Sequence, residues 1–186
     1  MYNGSMDTSV MSRTYLLQVA NALVLVNNDQ VERAVETLRQ CRNAGGIAWI
    51  IGNGGSAATA SHFANDLFKM GRLRAVPLAD LTPLTTAYGN DHGWKSMYAE
   101  PLKGLMGAED VLVAISCSGV SPNIVEAARE VEGGRVIVLT GKLRSLNTLA
   151  ELGTVVIGVP SGDIRIQEDV HLAICHAIAG ILKESD

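Results

Sequence analysis

Two loops rich in glycine and serine contain the residue types that bind phosphate. The first has the sequence GNGGS over residues 52–56, directly after an apolar run and directly before a helical pattern. Glycines let backbone N–H groups approach an anion, and the N-terminus of the following helix adds a favourable dipole. A tight strand-to-helix turn closed by a capping serine would have the same composition. This loop alone therefore predicts either a phosphate site or a structural turn.

The second loop places three serine hydroxyls around one glycine. It has the sequence SCSGVSPN over residues 116–123 and follows the apolar run Val111 to Ile115. Hydroxyls and the amides at the start of a helix can coordinate phosphate without a cationic side chain. Because Ser121 precedes a proline, which is common at the first position of a helix, it is predicted to cap that helix, to bind phosphate, or to do both.

Neither loop has the sequence of a nucleotide site. The GxGxxG pattern of dinucleotide-binding loops and the GxxxxGK[ST] pattern of P-loops both differ from these two segments. The ligand that the loops predict is therefore a small phosphorylated molecule.

Five short apolar runs alternate with helical patterns and predict the elements that position these loops. Short buried strands between helices usually form a parallel sheet, so the predicted fold class is α/β. Such sheets bind ligands at the carboxyl ends of their strands, where both loops belong. The predicted strands are Ile47 to Ile51, Ala75 to Leu78, Val111 to Ile115, Val136 to Leu139 and Val155 to Val159.

Two helices are predicted before the first strand. The first is capped by Thr8 or Ser9 and runs to about Val26, and the second runs from about Asp29 to Asn43. The first helix is apolar enough to need cover beyond one face, which favours an oligomer. A helix buried inside a monomer would have the same pattern.

Length and composition limit the class of protein. A chain of 186 residues with 47% hydrophobic and 18% charged side chains can form a full core and is too apolar to be disordered. Its net charge of -4 provides no basic surface for nucleic acid or anionic lipid. We expect a single domain over residues 1–186, with residues 1–7 disordered, a helical pair over residues 8–44 and an α/β core over residues 45–186.

Cysteine usage and hydropathy favour a cytoplasmic protein. Cys41, Cys117 and Cys175 are widely spaced and suggest neither a disulfide framework nor a thiolate zinc site. The N-terminal segment lacks the pattern of a signal peptide, and no later stretch reaches the roughly 18 apolar residues of a membrane span. We expect reduced thiols and neither nucleic-acid nor membrane partners.

Five segments of the sequence resemble the sugar isomerase (SIS) family, and more closely its phosphoheptose isomerase branch. They are GNGGSAATASHFANDL (52–67), AYGNDHGW (87–94), AISCSGVSPN (114–123), VLTG (138–141) and HLAICH (171–176). The resemblance implies a three-layer, doubly wound, flavodoxin-like fold with a five-stranded parallel sheet. It also implies a homotetramer with active sites between subunits, and isomerisation of a phosphorylated sugar, sedoheptulose 7-phosphate, to D-glycero-D-manno-heptose 7-phosphate.

The same resemblance implies which residues bind the substrate. Four serines would hold the phosphate, while Asn53 and Asp91 would contact the sugar near its reacting end. Alternatively, Asp91 forms an ordinary Asn-Asp turn with Asn90. The predicted substrate-binding residues are Asn53, Gly54, Gly55, Ser56, Asp91, Ser116, Ser118, Ser121 and Glu168.

Isomerisation of an aldose to a ketose moves a proton between neighbouring carbons through an enediol. It therefore needs a base, an acid and a group that polarises the carbonyl oxygen. By resemblance, Asp66 is the base that removes the carbon proton and His176 transfers a proton on the oxygen side. The family usually has glutamate where Asp66 stands, so the carboxylate here is retracted by about one methylene.

A zinc site is also implied by the resemblance. The four residues that match the zinc-binding positions of some phosphoheptose isomerases are His62, Asp66, Glu168 and His176. Glu168 and His176 are separated by about 12 Å along a regular helix, so Gln167 is an alternative ligand if the register shifts by one. Without a metal, His171 and His176 would pack inside the protein or at a subunit contact, and Asp66 and His176 could still transfer protons.

A non-catalytic SIS protein is the alternative function. Such a protein would bind a phosphosugar as a sensor, or a protein partner such as the bacterial replication initiator, without turnover. His176 favours an enzyme, because the non-catalytic class does not need this histidine. Asp66 and Glu168 stand where the family usually has glutamate and glutamine. These two differences are compatible with an altered substrate or with lost activity.

Overall fold

A computed structural model of the protein describes residues 7–131, 133, 135–143 and 147–184. Its strands are β1 (Ile47–Gly52), β2 (Arg74–Pro77), β3 (Val111–Ser116), β4 (Val136–Thr140) and β5 (Val155–Gly158). Its helices are α1 (Thr8–Val24), α2 (Asn28–Asn43), α3 (Gly55–Lys69), α4 (Thr82–His92), α5 (Ser96–Leu105), α6 (Pro122–Arg129), α7 (Thr148–Leu152) and α8 (Ile164–Glu184), with a 3₁₀ turn at Leu78–Asp80.

The five strands form one parallel sheet in the order β2-β1-β3-β4-β5. This confirms the predicted α/β fold with a five-stranded parallel sheet. After β1 the chain forms the edge strand β2, and it then crosses back to form β3 on the other side of β1. The order of the strands therefore reverses between β1 and β3, which is where open parallel sheets bind their ligands.

Helices cover both faces of the sheet and make a three-layer structure. The core on one face contains side chains from α1, α2, α3 and α8, and the core on the other contains side chains from α5, α6 and α7. Successive side chains of a strand point to opposite faces, so Val113 lies in the first core and Leu112 in the second. All six residues of β3 are buried, as expected for a central parallel strand.

The first helix begins and ends slightly earlier than predicted. Asp7 caps α1, because its side chain accepts a hydrogen bond from the amide of Ser9. The prediction of Thr8 or Ser9 as the cap was therefore wrong by one or two residues, since a carboxylate just before the helix is an equally good cap. Residues 1–6 of the segment expected to be disordered lie outside the described residues.

The two N-terminal helices differ in how much apolar surface they bury. In α1 only Ala22 is buried, whereas Leu16, Leu17 and Val24 are 62% to 79% exposed. In α2 one face is buried against α8 and β5. No single helix of the described chain is both long and apolar enough to cross a membrane; α1 and α2 meet the criteria of length and composition only as a pair, with a bend of 68° between them.

Candidate active site

The two loops predicted to bind phosphate lie side by side at the reversal of strand order. β1 ends at Gly52 and β3 ends at Ser116, and these strands are direct neighbours. The side chains of Asn53 and Asn123 join the loops, because each donates through Nδ2 to Oδ1 of the other, at 2.9 and 2.8 Å. The structure therefore brings both loops to one crevice, where they can contact a single ligand.

The first loop leads into α3 through a glycine that its backbone conformation requires. Gly54 has φ +54°, in the region that side chains other than glycine rarely adopt, and α3 begins at the next residue. No side chain caps this helix, so the amides of its first turn suit an anionic ligand. Ser56 is buried in that turn. Burial raises the pKa of the Cys117 thiol in the second loop, and the nearby side chain of Ser56 partly offsets this rise.

The second loop gathers three serine hydroxyls, which we call the serine triangle. The Oγ atoms of Ser116, Ser118 and Ser121 lie 3.4 to 3.5 Å from one another. Ser121 occupies the N-cap position of α6, yet its side chain makes no capping hydrogen bond. Its hydroxyl therefore faces the other two serines rather than the helix backbone, an arrangement that can bind the oxygens of a phosphate group.

Helices α3 and α8 pack together and bring two histidines and a carboxylate into one cluster. Nε2 of His62 lies 3.1 Å from Nε2 of His176, and Oδ2 of Asp66 lies 3.5 Å from each of these nitrogens. His62 and Asp66 share a face of α3 because they are one helical turn apart. The side chain of Asp66 is 11% exposed, whereas the two imidazole side chains are 48% and 47% exposed. The cluster thus consists of a buried carboxylate and two accessible imidazoles.

This His62–Asp66–His176 cluster has the composition and spacing of a metal site. Each residue offers one ligand atom, and the three atoms lie within 4.8 Å of one another. Two nitrogen ligands about 2.1 Å from a tetrahedral zinc ion would lie about 3.4 Å apart, close to the separation of the two Nε2 atoms. Imidazole and carboxylate ligands together suit several divalent metals. The cluster could therefore hold a metal ion.

Glu168, the fourth predicted metal ligand, lies elsewhere. Its carboxylate is packed against Gly55, where an added Cβ would come within 2.4 Å of Oε1. The reason is the geometry of α8, in which Glu168 and His176 are separated by about 12 Å along the axis. The structure therefore brings together three of the four predicted metal ligands and leaves Glu168 beside the first loop. Gln167, the alternative ligand, donates instead to the backbone oxygen of Ser161.

His171 lies in the interior of the protein rather than in the cluster. Its side chain is fully buried, and Nε2 donates to the backbone oxygen of Thr140 at 3.0 Å. Burial lowers the pKa of this imidazole to about 4, so the ring is neutral at pH 7. The hydroxyl of Thr140 in turn donates to the backbone oxygen of Ser116 at 2.8 Å. His171 thus connects α8 through β4 to the start of the second loop.

Asp91 is exposed near the end of α4, which packs against α5 and the 3₁₀ turn. Its carboxylate accepts a hydrogen bond from the side chain of Asn90 at 2.8 Å. Within the described residues, Asp91 makes no hydrogen bond to either phosphate loop or to the two histidines. Its predicted contact with the sugar therefore stays a prediction.

Two residues that position the site had no predicted role. Asn123 fixes the second loop to the first, and Thr140 fixes it to β4 and α8. Their positions were the signal that could have identified them, because Thr140 ends the buried strand β4 and Asn123 lies at the start of the helix that follows the buried strand β3, where ligand sites form. Their partners could not be identified, since those lie far away in the chain.

Comparison with known proteins identifies the family. Residues 14–141 match the SIS domain family. A phosphoheptose isomerase of Citrifermentans bemidjiense is 39% identical over 176 residues, which cover 89% of this chain and 89% of that protein. The solved phosphoheptose isomerase of Neisseria gonorrhoeae has a TM-score of 0.83 at 31% identity, covering 95% of this chain and 99% of that one. The solved enzyme of Francisella tularensis has a TM-score of 0.87 at 27% identity, with coverage of 96% and 100%. The chain belongs to the phosphoheptose isomerase family of SIS-domain proteins.

Proposed function

We propose that this chain is a phosphoheptose isomerase that converts sedoheptulose 7-phosphate to D-glycero-D-manno-heptose 7-phosphate. The observation that carries the proposal is the position of the cluster on the helix that leaves the first phosphate loop. α3 begins at Gly55 and presents His62 about 10 Å further along its axis. A phosphate at the loop and a reacting carbon at the cluster would then be separated by a distance that an extended sugar phosphate can span.

The phosphate end of the substrate is proposed to bind between the two loops. Ser56, Ser116, Ser118 and Ser121 would donate to its oxygens, with the first-turn amides of α3 supplying a favourable dipole. The carboxylate of Glu168, which lies beside Gly55, could accept a hydrogen bond from a sugar hydroxyl.

Asn53 and Asp91 are proposed to contact the sugar near its reacting end. Asn53 already uses both polar atoms of its amide to bond Asn123, so a sugar contact would share these atoms. Asp91 is exposed, and the resemblance to oligomeric isomerases suggests that it contributes to a site completed by another subunit.

Asp66 and His176 are proposed to exchange protons with the substrate. Asp66 would remove the proton from the carbon next to the carbonyl and return it to the neighbouring carbon, which passes the sugar through an enediol. His176 would move the accompanying proton between the two oxygens. The 3.5 Å separation of these side chains supports this division, because both can reach adjacent atoms of one substrate.

We infer that the resident metal is Zn²⁺, held by one ligand atom from each of His62, Asp66 and His176. With the ion bound, Asp66 and His176 would transfer protons through their other carboxylate oxygen and ring nitrogen. The spacing of the two imidazole nitrogens supports this assignment. When bound, the ion would polarise the carbonyl oxygen of the substrate.

A homotetramer in the cytoplasm is the proposed form of the protein. The exposed apolar side chains of α1 support association, since contact with another copy would remove them from water. Cys41 and Cys175 are buried free thiols and Cys117 is a partly buried one, which suits a reducing compartment.

The decisive test is turnover of sedoheptulose 7-phosphate by metal-stripped protein with and without added zinc. Asp66→Asn and His176→Gln should each lower kcat by at least about 100-fold, because general acid-base catalysis contributes that much or more. Asp29→Asn, at the exposed start of α2, is the matched control and should retain full activity.

The same assay tests the alternative of a non-catalytic SIS protein. Saturable binding of the sugar phosphate without turnover by the wild type would refute the isomerase assignment. That result would favour a phosphosugar sensor or a partner-binding protein.

A further inference from the structure

A small cavity lies beside the serine triangle, on the side of β4 and β5. Its volume is about 240 Å³. Cys117 and Ser118 of the second loop line one side, and Lys142, Ser161 and Gln167 line the other. Because Ser118 belongs both to this cavity and to the triangle, a phosphate bound at the triangle would lie at the boundary of the cavity.

Backbone contacts hold Lys142 close to the second loop. The amide of Gly141 donates to the backbone oxygen of Cys117 at 3.1 Å. An added Cβ on Gly141 would lie only 2.5 Å from that oxygen, so the two segments touch directly. Lys142 is the next residue, and its exposed, flexible side chain therefore starts one residue away from the contact.

Gln167 gives the cavity a second kind of polar group. Its side chain is buried, and Nε2 donates to the backbone oxygen of Ser161 at 2.8 Å. Its Oε1 atom is buried without a hydrogen-bond partner among the described residues. A buried acceptor without a partner is costly, so a donor that reached this oxygen would be stabilising. The cavity is thus lined by a cation, three hydroxyl or thiol groups and the amide side chain of Gln167, which suits a ligand that has both an anionic group and hydroxyls.

A full positive charge near the serine triangle would strengthen the binding of a sugar phosphate. Its phosphate carries close to two negative charges at neutral pH, whereas hydroxyls and helix amides supply only partial charges. The chain as a whole is negative, with a net charge of -4. A lysine is a compact cation that binds phosphate oxygens through charge-assisted hydrogen bonds.

We propose that Lys142 is a phosphate-binding residue whose ammonium group pairs with the phosphate held at the serine triangle. This proposal rests on the proposed function for the identity of the substrate, although binding of phosphate itself can be tested separately. Lys142 lies at the phosphate end of the site, so it should affect the binding of the substrate and not the proton transfer.

The test compares Lys142→Gln and Lys142→Arg with Lys183→Gln. Lys183 is an exposed lysine in the last turn of α8, so its replacement makes the same change of net charge away from the loops. Steady-state kinetics would give KM and kcat for sedoheptulose 7-phosphate, and calorimetric titration would give the Kd of inorganic phosphate. Lys142→Gln should raise KM and Kd on the order of tenfold at unchanged kcat, since a hydrogen bond to a charged group contributes about that much. Lys142→Arg should recover most of the loss, and Lys183→Gln should match the wild type.

Two results would overturn the proposal. One is an unchanged Kd and KM in Lys142→Gln, and the other is a loss that Lys142→Arg does not recover. If the wild type has no turnover but the Kd of phosphate rises in Lys142→Gln alone, Lys142 is still a phosphate-binding residue and the isomerase assignment fails.

Discussion

Asn53 and Asn123 hydrogen-bond to each other through both of their amide groups, although 70 residues separate them in the chain. Asn123 is fully buried, and the pair closes the gap between the loop after β1 and the helix after β3. The relative position of the two phosphate loops therefore depends on this pair as well as on the sheet.

Replacing Asn123 with alanine should separate the loops. Asn123→Ala removes both hydrogen bonds and leaves the amide of Asn53 without these partners, so the free energy of unfolding should fall by about 1 to 3 kcal/mol. KM for the sugar phosphate should rise as well. Urea denaturation and steady-state kinetics would measure the two effects. Asn43→Ala, at an exposed position at the end of α2, is the control, and an equal effect there would contradict the role of the pair.

Ser121 allows capping and phosphate binding to be tested separately. Because its side chain makes no capping bond, Ser121→Ala should change the free energy of unfolding by less than about 0.5 kcal/mol while raising KM several-fold. Asn27→Ala should do the reverse, since Asn27 caps α2 by accepting from the amide of Asp29 at 3.0 Å. A loss of about 1 kcal/mol with unchanged KM is expected there. A destabilised Ser121→Ala with normal KM would show that the serine is only a cap.

Metal binding at the cluster can be measured without an activity assay. Zinc added to metal-free wild type should raise the Tm, because a ligand at about 100 times its Kd stabilises the native state by about 2.7 kcal/mol. His62→Gln should remove most of this gain. His92→Gln changes an exposed histidine that stacks on Tyr88 and should retain it. Equal gains in both variants would mean that zinc binds elsewhere.

His171 should make the stability of the protein depend on pH. Its pKa is about 4 in the native state and near 6.5 in the unfolded chain, so the unfolded state binds the proton more tightly. The stabilising contribution is complete above pH 6.5 and is lost as the pH falls towards 4, by about 3 kcal/mol in all. His171→Gln, which keeps a donor for Thr140, should have a weaker pH dependence in urea denaturation. In the wild type, an NMR titration of the His171 ring with a midpoint near 6.5 would contradict this prediction.

The fold was predictable because its strands are apolar on both faces. Val111 to Ile115 and Val136 to Leu139 are continuous apolar runs, which is typical of parallel strands buried between helices. The loops could be recognised for a similar reason, since glycines and hydroxyls directly after such runs indicate a ligand site. The two loops lie at one crevice because β1 and β3, which they follow, are neighbours in the sheet.

The cluster could be predicted only in part. The spacing of His62 and Asp66 shows that they share a face of one helix, but a sequence gives no distance between α3 and α8. Glu168 was predicted as a ligand because its residue type and its order in the sequence match a zinc-binding position of the family. In the structure it lies about two helical turns before His176, and its carboxylate is beside Gly55. The pairing of Asn53 with Asn123 could not be predicted from the sequence either, because it depends on the register of β1 against β3.

The connection from His171 through Thr140 to Ser116 has a consequence for the choice of substrate. Helix α8 is fixed to the second loop by buried hydrogen bonds, and His176 lies about 7.5 Å beyond His171 along that helix. The serines proposed to hold the phosphate and the histidine proposed to move a proton are therefore connected through buried hydrogen bonds. We expect the site to select substrates by chain length. A shorter sugar phosphate could not place its phosphate at the serine triangle and its reacting carbon at the cluster at the same time.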